Sequence, residues 1–295
     1  MPGDAVPLVT ISIPTKDSAA TLRRTLESLA AQTSQDFETV VVDGESRDDT
    51  PRIAAEFGCR VVSDPGRLLA ARVRGIREAR GSFILLLDSD QVMAPTTLDR
   101  ALSLMNEYDM LLLVERPLDV SGATGRLFDA GRALVQADPT RYAVPESGLV
   151  MPRFFRASLL KAAAERIPRE ALGFVTDRDH QILFYECARL SRRLGIVPDA
   201  LAHIEPATLL EVLRRAGRWG YGAGRLKASR LYDQLFSHLM GVRVPSQGVR
   251  EPGEADRFLR ANLLAAVKAI PYSAGFAWGW LDQRRRSRGL GGRSP

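Results

Sequence analysis

The stretch Phe83-Ile-Leu-Leu-Leu-Asp-Ser-Asp90 joins an apolar run to two acidic residues. Five consecutive apolar residues are too few for a core helix, so they predict a buried strand that ends at Asp88. Two carboxylates two positions apart repel each other unless one is protonated or a cation neutralises them. Carboxylate oxygens suit the hard cations Mg²⁺ and Mn²⁺. We therefore expect Asp88 and Asp90 to be metal ligands, with a solvated turn before a helix at Pro95 as the alternative.

Two apolar runs nearer the N-terminus also end on polar residues. Residues 9–13 are followed by Pro14 and Thr15, and residues 39–42 are followed by Asp43. Ligands of parallel sheets bind beyond the carboxyl ends of the strands. These polar strand ends are therefore expected to lie at one site.

Amphipathic helices separate the apolar runs, the first of them with a stripe of Leu22, Leu26 and Leu29. Strands that alternate with such helices predict an α/β fold with a parallel sheet and right-handed crossovers. The other elements predicted in this half are strands at 61–62 and 110–114, a short helix that starts at Thr50 and Pro51, and helices at 68–80 and 95–105. After residue 115 the sequence predicts helices within 122–146 and at 159–166, 177–194 and 209–218, and a strand at 197–203.

The composition and net charge of the chain indicate which classes of molecule it binds. The chain has 295 residues, 45% of them hydrophobic, and a formal net charge of +6. This balance favours anionic partners such as phosphates or an anionic membrane face, whereas no recognised motif supports nucleic-acid binding. Cys59 and Cys187 show neither a metal-ligand spacing nor a disulfide framework, and residues 1–7 do not resemble a signal peptide. A cytoplasmic protein is the expectation.

Several stretches occur in a fixed order and spacing over the first part of the chain. They are Ser12-Ile-Pro-Thr-Lys-Asp17, Val41-Val-Asp-Gly-Glu-Ser-Arg-Asp-Asp-Thr50, Ala71-Arg-Val-Arg-Gly-Ile76, Ala79-Arg-Gly81 and Leu87-Asp-Ser-Asp-Gln91. In this combination the chain resembles the family 2 glycosyltransferases, which implies a GT-A fold, a Rossmann-like, mostly parallel sheet flanked by helices, with a helical C-terminal extension.

The resemblance implies roles for individual residues. Asp90 matches the surer metal ligand of the family's D-x-D motif, Asp88 lies nearer the ribose, and Gln91 assists the metal. Arg72 matches an arginine near the nucleotide, although Val73 stands where the family usually has asparagine. The residues expected to line the nucleotide pocket are Pro14, Thr15, Asp17, Asp43, Glu45, Arg72 and Asp88.

The acceptor side carries fewer matches. The resemblance makes Asp177 the better candidate for the catalytic base, with Asp179 the runner-up, since family members carry an acidic pair here and Thr176 replaces its glutamate. The alternative is that Asp177 only favours a helix N-terminus. His203, at the end of a predicted strand, is either a structural histidine or a third metal ligand.

Arg215-Ala-Gly-Arg-Trp219 resembles the Q-x-x-R-W motif of processive family members, with arginine in place of glutamine. The resemblance gives Arg218 a catalytic role at the departing diphosphate and Trp219 a place in the acceptor site. A basic helix face with a core tryptophan is the alternative. The nearby Gly220-Tyr-Gly-Ala-Gly224 is not a dinucleotide loop, because it follows a helix rather than a strand.

These matches predict a division into 1–115, which binds the nucleotide-sugar, 116–245, which binds the acceptor and carries the catalytic base, and a basic helical tail at 246–295. The expected function is inverting sugar transfer from a nucleotide-diphosphate donor to a hydroxyl or lipid-phosphate acceptor, assisted by Mn²⁺ or Mg²⁺. The alternatives are an inactive protein of the same fold that binds sugar nucleotides, and a sugar nucleotidyltransferase.

The tail has aromatic residues beside the basic cluster Arg284-Arg-Arg-Ser-Arg288. Lys268, Pro271 and Ser273 interrupt its apolar stretch, which makes a membrane-spanning helix doubtful. Two interpretations stay open, a helix packed on the domain and a peripheral contact with anionic lipid on the inner face of the cell membrane.

Overall fold

The computed structural model describes residues 6–136, 139–236 and 254–287. Its strands are β1 Val9–Thr15, β2 Phe37–Asp43, β3 Arg60–Ser63, β4 Phe83–Leu86, β5 Gln91–Met93, β6 Met110–Pro117, β7 Phe154–Arg156 and β8 Leu194–His203. Its helices are α1 Ala19–Ala30, α2 Thr50–Glu56, α3 Leu68–Glu78, α4 Thr97–Leu104, α5 Ala123–Gln136, α6 Pro139–Tyr142, α7 Ala157–Ala164, α8 Arg169–Leu172, α9 Asp179–Ala188, α10 Leu209–Ser229 and α11 Glu254–Ser287.

The strands form one mixed sheet in the order β3-β2-β1-β4-β7-β6-β8-β5. The four strands from β3 to β4 are parallel, and β6 and β8 are also parallel. Antiparallel β7 joins these two groups, and antiparallel β5 pairs with β8 at the edge. The predicted α/β class with a mostly parallel sheet is therefore confirmed.

The core follows from the predicted patterns. Both faces of β1 are buried, as expected for a strand with helices on both sides. Leu22, Leu26 and Leu29 of α1 pack with Ile11 and Ile13 of β1 in one apolar cluster. Burial of each such side chain contributes about 1.5–3 kcal/mol, which fixes the strand ends that carry the candidate site.

Several boundaries differ from the sequence-based predictions. The helix predicted from Asp177 begins at Asp179, because Arg178 has a left-handed φ of 66° that no α-helix contains. The stretch 220–224 lies inside α10 and does not follow a helix. Pro271, which interrupts the apolar stretch of the tail, lies within a continuous α11. Part of the predicted tail, residues 246–253 and 288–295, lies outside the described residues.

The chain divides into two compact units that do not follow chain order. The first unit comprises residues 1–118, 151–167 and 179–204 and contains the sheet. The second unit comprises residues 119–150, 168–178 and 205–295. In it, Phe128, Val212 and Leu264 bring α5, α10 and α11 together in a small apolar core. The three-part division predicted from the sequence stays a prediction.

Candidate functional site

The carboxyl ends of β1 and β2 are tied together by Asp43. The two strands pair in register, with Thr15 opposite Asp43. The Thr15 hydroxyl donates to Asp43 Oδ1 at 2.9 Å, and Ser46 donates its hydroxyl to Oδ1 at 2.6 Å and its backbone N–H to Oδ2 at 2.9 Å. Asp43 therefore organises the two loops that follow these strands. Whether it also contacts a nucleotide stays a prediction.

Asp17 and Glu45 occupy the same pair of loops in a strained conformation. Their φ angles are 49° and 60°, a left-handed region that costs energy in residues other than glycine. The Asp17 N–H donates to the Ser46 hydroxyl at 2.8 Å, and Asp17 Oδ1 accepts from the Arg47 N–H at 2.8 Å. The structure thus brings together Thr15, Asp17, Asp43 and Glu45, with Pro14 in the strand just before them.

Asp88 follows β4 as predicted, but arginines neutralise it. Its Oδ1 accepts from Arg72 Nη2, and its Oδ2 lies 2.9 Å from Arg153 Nη1. Burial alone would raise the pKa of the Asp88 carboxyl, yet Arg153 and Arg72 hold that pKa well below its ordinary value. Since both oxygens face guanidinium groups, Asp88 is not poised to hold a cation in this arrangement. This differs from the metal role predicted for it.

Arg72 is completely buried and makes no approach to solvent. Its Nε donates to Asp179 Oδ2 at 2.9 Å, and its Nη1 donates to the Leu87 carbonyl at 2.8 Å. The arginine that the resemblance put near the nucleotide therefore acts here on the two aspartates. Its contact with a nucleotide stays a prediction.

His180 completes this cluster. Its Nε2 lies 2.8 Å from Arg72 Nη2 and 2.9 Å from Arg153 Nη1. A guanidinium only donates hydrogen bonds, so Nε2 must be the acceptor and the ring proton must be on Nδ1. Burial lowers the pKa of His180, and Arg153 and Arg72 lower it further. The imidazole is therefore neutral.

Glu115 and Gln91 extend the cluster toward β6 and β5. Glu115 Oε1 accepts from Arg153 Nε at 2.6 Å and from Gln91 Nε2 at 2.8 Å, and Gln91 Oε1 accepts from the Asp88 N–H at 2.9 Å. Burial opposes the charged form of Arg153, but Glu115 and Asp88 raise its pKa above the ordinary value. Gln91, expected to assist the metal, thus fixes the backbone of Asp88.

Asp90 faces a different partner from Asp88. Gln91 of β5 pairs with His203 of β8. The next residue, Ile204, donates its N–H to the Asp90 carbonyl at 2.8 Å. This ladder brings His203 Nε2 to 3.4 Å from Asp90 Oδ1. Two donor atoms on one octahedral cation with bonds of about 2.1 Å lie about 3 Å apart. Asp90 and His203 therefore fit as two ligands of one Mn²⁺ or Mg²⁺.

Among the described residues, no group of three or more His, Cys, Asp or Glu side chains is arranged to hold a metal ion. Of the predicted ligands Asp88, Asp90 and His203, the structure leaves the pair Asp90–His203 in an arrangement that fits a cation. The remaining ligands would have to come from a bound molecule or water, which suits a cation that binds together with a diphosphate.

The two candidates for the catalytic base have different surroundings. Asp179 is 5% exposed and paired with Arg72, so its carboxylate belongs to the buried cluster of the first unit. Asp177 is half-buried and precedes α9 in a loop of the second unit. The structure therefore favours Asp177 over Asp179, although its catalytic role stays a prediction.

Arg218 and Trp219 lie on α10 in the second unit. Arg218 is exposed, and Trp219 is half-buried. The Trp219 ring lies beneath Arg215 and Lys268, with the charged groups 6.0 Å and 5.6 Å from its centroid. The Arg215 contact lies within α10 and fits the basic helix face that was the alternative interpretation, whereas Lys268 belongs to α11. The diphosphate and acceptor roles stay predictions.

Sequence reasoning missed Arg153, Glu115 and His180. Arg153 stands before the three-residue strand β7, where its carbonyl accepts from Leu86 and its N–H donates to Leu111. Only this antiparallel insertion between β4 and β6 carries Arg153 to Asp88. The one available signal was a charged residue directly before an apolar run, which is too common to be decisive.

Comparison with known proteins supports the resemblance. Residues 10–147 match the family described as Glycosyl transferase family 2. The succinoglycan biosynthesis protein ExoO of Rhizobium meliloti is 34% identical over 213 residues, which cover 68% of this chain and 57% of that protein. A PGL/p-HBAD biosynthesis glycosyltransferase of Mycobacterium tuberculosis is 34% identical over 152 residues, 48% of this chain and 59% of that protein. The chain spans between 33% and 59% of the length of the curated relatives it matches.

Solved structures show the fold. TarS 1–349 of S. aureus superposes with a TM-score of 0.54 at 18% identity, covering 95% of this chain and 91% of that one. Its complexes with UDP and with UDP-GlcNAc superpose with a TM-score of 0.51. Glucosyl-3-phosphoglycerate synthase from Mycobacterium tuberculosis, in complex with Mn²⁺, UDP and phosphoglyceric acid, superposes with a TM-score of 0.52 at 21% identity. The match covers 78% of this chain and 79% of that one. These likenesses confirm the GT-A fold.

Proposed function

Since this chain belongs to the family 2 glycosyltransferases through residues 10–147, we propose that it transfers a sugar, with inversion, from a nucleotide-diphosphate donor to an acceptor hydroxyl or lipid phosphate. The observation that carries this proposal is the Asp90–His203 pair, with 3.4 Å between its donor atoms, directly beyond the sheet strand that carries the acidic motif. Solved relatives of the same fold bind UDP-sugars and Mn²⁺, which supports a similar donor and cation.

Asp90 and His203 are the residues that would hold Mn²⁺ or Mg²⁺. When bound, such a cation supplies positive charge against the oxygens of the departing diphosphate. Asp88, held by Arg72 and Arg153, keeps its carboxylate fixed and ionised and is assigned to the ribose side of the donor. The loops organised by Asp43 are proposed to bind the nucleoside of the donor.

Asp177 is the proposed catalytic base. It accepts the proton of an acceptor hydroxyl as that oxygen attacks the anomeric carbon from the face opposite the leaving group. The transition state resembles an oxocarbenium ion, as in glycoside hydrolysis. Arg218 is proposed to offset charge on the leaving diphosphate, and Trp219 is assigned to the acceptor. An acceptor phosphate is already anionic and would need no base.

The test is turnover of a donor panel of UDP-, GDP- and dTDP-sugars with Mn²⁺, measured as release of nucleoside diphosphate. We expect Asp90→Ala to abolish turnover, because the cation loses one of its two protein ligands. Asp49→Ala, which removes an exposed carboxylate that pairs with Arg52 on α2, is the matched control and should retain activity. Unchanged turnover in Asp90→Ala would refute the proposal.

The same assay separates the two alternative functions. A protein that only binds sugar nucleotides would be stabilised by the donor without releasing diphosphate. A nucleotidyltransferase would form pyrophosphate from a nucleoside triphosphate and a sugar phosphate. The first outcome is not expected, since Asp88, Asp90 and Asp177 are all present. The second is not expected, since Pro14-Thr-Lys-Asp17 stands where a nucleotidyltransferase would have a glycine-rich basic loop after its first strand.

We assign the outer face of α11 to a peripheral contact with the cytoplasmic face of an anionic membrane. Exposed apolar side chains recur along this helix, and three arginines occupy its last turn. The exposed apolar residues are Leu259, Leu263, Ile270, Trp278 and Leu281. None of the helices in the described ranges combines the length and apolarity needed to cross a bilayer.

Vesicle cosedimentation tests this assignment. Vesicles containing phosphatidylserine should bind the protein and those of phosphatidylcholine alone should not, because arginine binds anionic headgroups while the apolar side chains insert. Trp278→Ser should weaken the binding. Equal partition onto both vesicle types, or self-association through this face in place of lipid binding, would contradict the assignment.

A further inference from the structure

Residues 174–178 carry the proposed base Asp177, and α10 approaches them closely at Gly222. A Cβ added at Gly222 would lie 3.0 Å from the Asp177 Cβ and 3.1 Å from the Thr176 hydroxyl. These separations are tighter than ordinary van der Waals contact, so any side chain here would press on the loop. The absence of a side chain at Gly222 therefore sets how near the helix lies to Asp177.

The next residue, Arg178, is held from two sides. Its Nη2 donates to the Tyr272 hydroxyl of α11 at 3.0 Å. Its guanidinium lies over the Phe236 ring, 5.0 Å from the centroid. Because Arg178 has a left-handed φ of 66°, its backbone conformation costs energy unless the surroundings fix it. These contacts stabilise the turn that presents Asp177.

A third contact holds the beginning of the same segment. Arg225 of α10 lies over the Phe174 ring, 5.2 Å from its centroid. Its Nε also donates to Gln283 Oε1 of α11 at 3.0 Å. Arg225 is 7% exposed, so this guanidinium links the loop to both helices in a largely water-free environment.

The two helices are themselves packed at backbone distance. A Cβ at Gly220 would lie 1.9 Å from the Tyr272 carbonyl oxygen, and one at Gly224 would lie 2.1 Å from the Phe276 carbonyl oxygen. From the other side, Gly275 and Gly279 meet the carbonyls of Gly217 and Tyr221 in the same way. This packing fixes the position of Tyr272 relative to Gly222.

We propose that the α10–α11 pair positions the catalytic loop, with Gly222 and Tyr272 as positioning residues that act through Asp177. This inference rests on the proposed function of Asp177 as base. It gives the C-terminal helix a role in the chemical step that is separate from any contact with lipid. The Tyr272 hydroxyl couples Arg178 of the loop directly to α11, and removing that hydroxyl should impair proton abstraction while leaving donor binding intact.

Tyr272→Phe tests the hydroxyl, with Tyr221→Phe as the matched control. Tyr221 donates its hydroxyl to Asp282 of α11 at 2.7 Å, so the control removes a hydrogen bond between the same two helices that does not touch the loop. We expect kcat to fall about threefold to tenfold in Tyr272→Phe, with the donor KM and the melting temperature equal to those of Tyr221→Phe. Equal kcat values in the two variants would overturn the proposal.

Gly222→Ala tests the close approach, with Gly217→Ala as its control. Within the described ranges, an added Cβ at Gly217 meets the Pro271 carbonyl and no other atom, at an ordinary 3.7 Å. We expect Gly222→Ala to lower kcat and Gly217→Ala to leave it unchanged. A kcat loss in both variants, or in neither, would contradict the positioning role.

Two further measurements separate this inference from the proposed function. Combined with Asp177→Asn, Tyr272→Phe should cause no additional loss of residual kcat, because both act at one step; a fully multiplicative loss would overturn the inference. Amide hydrogen exchange of residues 174–178 should be faster in Tyr272→Phe than in Tyr221→Phe even if the wild-type protein shows no turnover. Absence of turnover in the wild-type protein would refute the proposed function. Equal exchange rates in the two variants would overturn the proposal that α10 and α11 position residues 174–178.

Discussion

Arg153 Nη1 lies 2.9 Å from Asp88 Oδ2, so the first aspartate of the acidic motif is neutralised by a residue 65 positions further along the chain. Arg72 takes the other carboxylate oxygen. The second aspartate, Asp90, faces His203. The two acidic side chains that the sequence presents as one pair therefore have separate partners.

Replacement of Arg153 by methionine should destabilise the protein by about 3 kcal/mol, because it leaves the carboxylates of Asp88 and Glu115 without their shared partner in a buried cluster. Urea unfolding measures this. Arg52→Met removes an exposed arginine that pairs with Asp49 and Glu56, and its effect should stay below about 1 kcal/mol. Equal losses in the two variants would show that the cluster contributes no more than a surface ion pair.

Stability should fall with acidification through His180. Burial and the two arginines lower the pKa of its imidazole in the folded protein. Above about pH 6.5, the ordinary value, both states are neutral and this contribution to stability is complete. Below that pH the unfolded chain takes up a proton that the folded protein excludes, so stability drops by up to about 1.4 kcal/mol per pH unit.

Urea unfolding at about pH 7.5 and about pH 5.5 tests this expectation. His180→Gln cannot take up the proton and retains an acceptor oxygen for the arginines, so its stability should change less over this interval. If wild type and His180→Gln lose the same stability on acidification, the neutral imidazole is not the cause.

Asp177→Asn should lower kcat by about 100-fold or more with a hydroxyl acceptor, the typical contribution of general base catalysis. Donor binding should be unaffected, because the substitution removes only the proton acceptor. Asp179→Asn should instead lower the melting temperature, since Arg72 loses a buried partner. Full activity of Asp177→Asn would point to a phosphate acceptor, which requires no base.

Gly224→Ala should destabilise the second unit strongly. The added Cβ would lie 2.1 Å from the Phe276 carbonyl oxygen, and backbone atoms cannot move aside as a flexible side chain can. Gly217→Ala on the same helix is the control and should be neutral or stabilising by up to about 1 kcal/mol, because alanine favours helix. Comparable melting temperatures for the two variants would argue against the close packing of α10 and α11.

Local patterns were sufficient for the elements that carry the acidic strand ends. The apolar run before Asp88, the stripe of α1 and the strand before Asp43 all lie where their periodicity indicated. The three-residue strands β5 and β7 were missed, because so short a strand shows no periodicity. The placement of Arg153 was therefore missed as well, because it depends on the long-range antiparallel pairing of β7.

The predicted start of α9 and the predicted length of α10 were wrong for related reasons. At Arg178, tertiary contacts fix a left-handed backbone conformation that no sequence pattern predicts. The predicted helix ended at 218, before the glycines at 220–224, yet their lack of side chains is what allows α11 to pack against α10. In both places packing between distant segments outweighed the local preference.

The most direct test of the central claim is the thermal stability of the wild-type protein and Asp90→Ala with a nucleoside diphosphate, with and without Mn²⁺. If Asp90 and His203 bind the cation together with the diphosphate, saturating ligand should raise the wild-type melting temperature by about 5 °C only when Mn²⁺ is present. Asp90→Ala should lose this metal-dependent increase. An equal, Mn²⁺-dependent increase in Asp90→Ala, or none in the wild-type protein with any nucleotide, would contradict the account.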